Sequence, residues 1–472
     1  MPSKETRSLL YSSVAAVLLF AAGARGVYTT PQAAPGRFPA DEASNVSPDT
    51  HLTLTFGTPP RVGTAGQIRV YDAATRAVID TLDLGVEDQR TVIGGFAEGF
   101  HFYPILVRGM TATVALHHNV LGYGRDYEIQ IDPGAIVADG FNGIPRWRFR
   151  TRATAPSLAS RRLVVAADGT GDVATIQGAV DLIPALHDNR ITVFIKPGRY
   201  EEIVYFRNRR DITFVGEDRE RVVVGYANNE RFNGPPPGVA TNERPDTFPY
   251  RRAAFMADRS TGIQIRNLTI ENFTPAGGGQ AEALLLSGGR NLVSRATLLS
   301  HQDTVQFNDS VYVEDTLIAG DTDFLWGRGP AFFRNCTLRQ QSSGPFMWVR
   351  STSASHGFVF DGCRFETASQ GAAGPYLARN TGAYPDSEVV LIACALGAIN
   401  PVAWMLPAEA ARMRYWEFAS TSIATGAAAD VGQRHAASRQ LDAVRDALTI
   451  ANYRNPAYVL DGWTPAVDSI ER

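Results

Sequence analysis

Two textures of apolar alternation divide this chain. Between His51 and Arg152, short runs alternate apolar and polar positions: HLTLTFG (51–57), GQIRVYD (66–72), DYEIQID (126–132) and RWRFRTR (146–152). Gly, Pro and Asp turns separate the runs, so each reads as a strand with one buried face. Short strands at this spacing predict a small β-sandwich of immunoglobulin-like type over 51–152. No catalytic cluster stands in it, so its expected role is a spacer or a binding module. ATAPSLASRR (153–162) then reads as a linker.

Beyond the linker the texture changes. LVVAADGTGDVATIQGAVDLIP (163–184) passes from a short strand through a Gly-rich turn into a helical pattern. It lacks G-x-G-x-x-G, and the expectation is a capping helix, not a phosphate site. One small unit then recurs: IRNLTI (265–270), VSRATL (293–298), YVEDTL (312–317), FFRNCTL (332–338), VFDGCRF (359–365) and LIACAL (391–396). With Leu268, Ala296, Asp315, Cys336, Cys363 and Cys394 taken as equivalent, the spacings are 28, 19, 21, 27 and 31. Periods of this size without helical texture predict a solenoid of strands, most economically a parallel β-helix. Successive coils then stack at about 4.8 Å. The three cysteines fall in one column, expected to point inward as small apolar groups. RQLDAVRDALTIA (439–451) has helical periodicity and is expected to cover one end or side of the solenoid.

Such winding makes neighbours of residues one period apart. Gln280, Gln302 with Asp303, and Asp323 follow one another at intervals of about one coil. Three coils would bring them to one patch of one sheet face, beside a groove that could hold a polymer. Two carboxylates about 5 Å apart repel by roughly 3 kcal/mol at an effective dielectric near 20. One then stays protonated while the other is charged, giving an acid and a nucleophile from one residue type. Amides of Gln280 and Gln302 could stabilise a developing oxyanion without adding charge. Acyl transfer on an ester fits the set.

Composition narrows the picture. A chain of 472 residues, 44% of them hydrophobic, can bury a large core and exceeds one ordinary domain. A net charge of -3 offers no footprint for nucleic acid. Lys4 and Arg7 precede an apolar run from Leu9 to Ala24 that is short for a membrane span and ends in small residues. Residues 1–24 are therefore expected to be a signal peptide, with a secreted or periplasmic protein and no stable membrane insertion after cleavage. Residues 25–50, rich in Pro and Ala, are expected to be loose. Three cysteines, Cys336, Cys363 and Cys394, cannot form a disulfide framework, and no CxxC suggests a zinc site. No metal and no cofactor is expected.

The motifs GTGDVATIQGAVDLIP, PGRYEEIV (197–204), GQAEAL, HQDTV, DTDFLWG and HGFVFDGC (356–363), in this order from about Leu163 to the WTP at 463–465, resemble the pectin methylesterase (pectinesterase) family. The resemblance implies a right-handed parallel β-helix and hydrolysis of the methyl esters of polygalacturonate to carboxylate and methanol. By position, Asp323 would be the nucleophile. Asp303 would protonate the leaving methanol and then activate water. Gln302 and Gln280 would be the anion-hole amides. Arg379, in YLARNTG, would hold the nucleophile charged, and Trp326 would shape the ester pocket. His301, beside Gln302, reads as a packed neighbour.

Departures accompany the match. Thr381 stands where the family has a substrate-stacking Trp, and Gln306 where a Tyr is frequent. Asp315 and Cys336 lie where some members have a Cys pair, so that disulfide cannot form. The segment 231–252 reads as a Pro-rich insertion able to wall one side of the groove. The expected partner is methylated pectin, bound by a monomer. A related acetyl- or thioesterase, or a non-catalytic polysaccharide-binding surface protein, are the alternative readings.

Overall fold

The computed structural model describes residues 34–95, 99–235, 251–368 and 374–466. The expected signal peptide lies outside them. Among the described residues no helix is long and apolar enough to cross a membrane.

The described residues of 34–151 form two main sheets around one core, with two-stranded ribbons at Arg61–Val62 with Ile136–Val137 and at Arg90–Thr91 with Phe100–His101. Strands Gly36–Phe38, Leu52–Thr55, Thr111–Val114 and Ile105–Arg108 make the first; Ala43–Val46, Ile144–Thr151, Asp126–Ile131, Gln67–Asp72 and Val78–Asp83 make the second. The alternation predicts which side chains meet between them: Leu52, Leu54, Ile68, Val70, Ile129 and Trp147 are fully buried in one cluster. One expectation fails. Part of the 25–50 segment is not loose, because Gly36–Phe38 pairs with Leu52–Thr55 and Ala43–Val46 pairs in parallel with Ile144–Thr151. Asp41 and Glu42 tie the intervening turn to Arg148 and Arg146.

Residues 152–161 carry no strand or helix. From Arg162 on, three parallel sheets of 11, 9 and 8 strands wind around a second core. Each coil gives one strand to each sheet. This is the parallel β-helix anticipated from the repeat. Helix α1 (Ile176–Leu182) closes one end, with Ile176, Ala179 and Val180 buried against the first coil. Thr175 caps it by accepting from the Gly178 amide at 2.9 Å.

The corner between the first and second sheets is the same in every coil from 264 onward. Two residues span it. The first is left-handed: Asn267, Arg295, Asp315, Asn335, Gly362 and Ala393 have φ between 49° and 68°. The second points into the core. This corrects the repeat alignment by one residue: Thr316, 1% exposed, is the partner of Ala296 and Cys336, while Asp315 is the exposed turn residue. Asn and Asp tolerate that conformation better than most residues, which is why the turn is polar. The column is therefore Leu268, Ala296, Thr316, Cys336, Cys363 and Cys394. The cysteines stack inward as expected, free and buried. Burial pushes the Cys394 thiol up to about 12, so it is an apolar filler, not a nucleophile.

The helical pattern at 439–451 is realised only in its second half. Arg439–Gln440 pairs as a last strand; α2 (Ala447–Tyr453) and α3 (Pro456–Val459) follow. Tyr453, Val459 and Leu460 pack on Tyr312, Phe332 and Val359, the outer face of the first sheet. The helices thus cover a side. Trp404 is core, and Trp416 packs against Tyr453.

The two units are docked. Ile93 and Phe100 from the sandwich share a cluster with Ile203, Tyr205, Met256 and Leu285 on the outside of the third sheet. Asp49 accepts from the amides of Ala174 and Thr175, and Glu202 from those of Ile176 and Gln177, so both units cap the start of α1.

Candidate active site

The third sheet sets the register of the site. Leu284, Val305 and Leu325 pair across successive coils. Two residues earlier on each strand stand Glu282, Asp303 and Asp323, and backbone bonds from Ala283 to Thr304 (2.8 Å) and from Asp303 to Thr322 (3.2 Å) continue the ladder. The two aspartates expected to meet are therefore one strand spacing apart, about 4.8 Å along the stack. Both are left-handed, with φ of 66° at Asp303 and 48° at Asp323. Asp accepts this at lower cost than bulkier residues, and the turn lifts each carboxylate out of the regular pleat.

Each acid has its own arginine. Asp323, buried, takes a bidentate pair from Arg379: Nε donates to Oδ1 at 2.9 Å and to Oδ2 at 2.8 Å. Arg379 lies 4.0 Å from the ring centroid of Trp348, which fixes the guanidinium plane. Asp303, 4% exposed, receives Nη2 of Arg252 at 2.8 Å on Oδ2. The same Arg252 donates through Nε to both oxygens of Glu282, at 3.0 and 2.9 Å, and through Nη1 to Oε1 of Gln280. One guanidinium thus serves two buried carboxylates. Burial pushes the Asp303 carboxyl well above its ordinary range; Arg252 and Arg350 oppose the rise, and Glu282 and Asp323 add to it.

Gln280 and Gln302 are half-buried on adjacent coils, joined by the Ala281 amide donating to the Gln302 carbonyl at 3.1 Å. Trp326 faces outward from the third sheet between Gln306 and Trp348, yet is buried because Arg350 (4.6 Å) and Arg252 (5.7 Å) lie over its ring. His301 pairs with Asp321 at 2.9 Å, the packed-neighbour arrangement. Gln306 is fully buried and donates to Asn308 at 3.2 Å, so it does not open the pocket. Thr381 is exposed, and Trp348 with Tyr384 supplies the aromatic surface beside Arg379. Of the segment 231–252, residues 236–250 lie outside the described ones; its last residue, Arg252, enters the site.

Sequence reading missed Arg252, Glu282 and Arg350, and left Trp348 open between core and groove. A signal existed for one of them. In GQAEALLL an acid interrupts an apolar run, and a buried acid needs a counter-charge. Arg252 could not be found the same way, since its coil is reached through an insertion of unknown path. Among the described residues no group of three or more His, Cys, Asp or Glu side chains could hold a metal ion. What the cluster offers is an acid clamped by Arg379, a neighbouring carboxyl that burial pushes well above its ordinary range, and nearby amides. That set suits acyl transfer.

Comparison with known proteins agrees in kind. The sequence model of the pectinesterase family matches residues 162–437. Pectinesterase 31 of Arabidopsis thaliana is 29% identical over 262 residues, covering 52% of this chain and 78% of that protein. Pectinesterase QRT1 of the same plant is 28% identical over 257 residues, covering 52% of this chain and 64% of its own length. Among solved structures, the carrot pectin methylesterase superposes with a TM-score of 0.53 at 22% identity, over 64% of this chain and 93% of that one. The Aspergillus niger enzyme gives 0.51 at 22% identity, over 66% and 95%. These structures share the fold of the second unit.

Proposed function

Since the chain belongs to the pectinesterase family, and is by that membership a carboxylic ester hydrolase, we propose that it removes methyl groups from methylated polygalacturonate with Asp323 as nucleophile. The single observation that carries this reading is the pair of unlike aspartates on successive coils, one clamped by Arg379 and one whose carboxyl burial pushes well above its ordinary range.

In this reading the Asp323 carboxylate attacks the ester carbonyl. Arg379 holds both its oxygens so that one lone pair faces the substrate, which limits the entropy lost on attack. The tetrahedral oxyanion takes hydrogen bonds from the amides of Gln280 and Gln302. Gln280 suits this because Arg252 donates to its oxygen, so its amide nitrogen is the end left to donate. The C–O bond to the methoxy group breaks, Asp303 gives its proton to that oxygen, and methanol leaves. Asp303, now charged, takes a proton from water; the hydroxide opens the acyl–Asp323 bond. Galacturonate carboxylate, one proton and free Asp323 result, and Asp303 holds its proton again. Trp326 and Trp348 wall the pocket on the aromatic side.

We take the protein to act outside the cytoplasm, as the expected leader implies, with the sandwich as an Ig-like accessory module. The test is methanol release from pectins of graded methylation. Turnover lost in Asp323→Asn with the fold intact supports the reading; absence of methanol from every pectin by the folded wild type overturns it.

A further inference from the structure

The site holds a charged pair to which the reaction scheme gives no part in the proton transfer. Arg252 and Glu282 are 3% and 0% exposed and lie against Asp303, on two elements: the end of the 227–254 connection and the coil preceding Asp303. Charges are seldom buried without a partner, and removing one of a buried pair is costly. The geometry is unequal. Glu282 engages Arg252 with both oxygens and Asp303 with one. Glu230 approaches the same guanidinium only at 3.6 Å.

We propose that Arg252 and Glu282 are positioning residues that set the pH range over which Asp303 can donate and regain its proton. The inference rests on the reading of Asp303 as the proton donor. Before attack, two carboxylates and a single guanidinium occupy one dry space. The better-paired Glu282 keeps the negative charge, and the proton goes to Asp303. After methanol leaves, Asp303 is charged, and Arg252 at 2.8 Å is already in place to balance it. Glu282 thus favours the loaded acid and Arg252 the spent one. Neither gives or takes the proton; both act through Asp303. The other charged groups facing Asp303 are Asp323, across the coil and balanced by Arg379, and Arg350, stacked on Trp326.

The test is the pH profile of kcat for methanol release, with melting temperature and KM measured alongside. In Glu282→Gln the shape and the hydrogen-bond acceptor remain, but the negative charge that competes with Asp303 for Arg252 is gone. The alkaline limb should move down by about one pH unit, a loss of about tenfold in kcat on that limb, with KM unchanged. Glu282→Asp, which restores the charge, should bring the limb back. A merely structural Glu282 would lower the melting temperature of both variants and leave the limb in place. Asp303→Asn separates the two levels. If it retains turnover, the donor reading itself fails. If it is inactive while the Glu282→Gln limb stays within about 0.3 unit of wild type, only the role of the pair is overturned. The wild-type profile adds a check that needs no variant: an alkaline limb in the ordinary carboxylic range, near pH 4, would also overturn the proposal.

Discussion

One face of the third sheet is used in two ways. At its start, Tyr205, Met256 and Leu285 project outward and are covered by Ile93 and Phe100 of the sandwich. Further along, the same outward row continues as Gln306, Trp326, Trp348, Arg379 and Met405. There the cover is arginine from the same unit, and it thins until Trp348 is half-buried and Met405 is 44% exposed. Backbone and pairing are alike in both stretches. What differs is the partner above the sheet. An apolar cover selects apolar side chains and yields stability; a cover of cations over aromatic rings keeps charge beside the two acids. Stability and chemistry are thus separated along one surface, and variants can test the separation.

The largest effect is expected at the chemical end. Asp323→Asn should cut methanol release by more than about a thousandfold while the melting temperature stays near wild type, because Asn also accepts the left-handed turn. Asn is preferable to Ala there, since it changes charge with little change in backbone preference. The covered end should behave in reverse. Phe100→Ala empties a fully buried site between the units and should cost about 3–5 kcal/mol, read by urea unfolding, with turnover per folded molecule retained. If Phe100→Ala also abolished turnover below its melting point, the two stretches would not be independent.

Trp348→Ala comes next. Its ring lies against Arg379 and Arg350, at 4.0 and 3.8 Å, and each contact is worth about 1 kcal/mol. A fall in kcat of about tenfold is expected, from looser positioning of Arg379. The smallest effect is a pH dependence at the junction. Burial pushes Glu202 up to about 7, against the amide bonds of Gln177 and Ile176. Its folded value lies above the unfolded one of about 4.3, so its contribution to stability is present below about 4.3 and is lost as pH rises through about 7. Glu202→Gln should flatten the melting temperature between these limits, and an unchanged slope would place the pH dependence elsewhere.

Much of this was legible in the sequence. The winding was, because turn, strand and inward residue repeat at each coil, and so were both aspartates and Arg379, which sit in short motifs. The corner was misplaced by one residue because a polar turn and a small inward residue are adjacent: EDT at 314–316 offers either Asp315 or Thr316 as the equivalent position. The first strands of the sandwich were hidden by a Pro- and Ala-rich composition, and the second of them pairs with residues far along the chain. Arg252 was hidden for the same reason; nothing local shows that the end of an insertion returns to meet Glu282 and Asp303. Contacts that depend on the path of a long connection carry no periodic signal.

The two-residue corner has a consequence for how such a molecule can change. From 264 onward its length is constant, whereas the connections entering and leaving the third sheet run from two residues at 202–203 to 28 at 227–254. The corner acts as a fixed stitch and the loops as slack. Lineages can therefore lengthen or replace what overhangs the groove, and so alter which polymer patterns fit, without disturbing the stacking of the acids beneath.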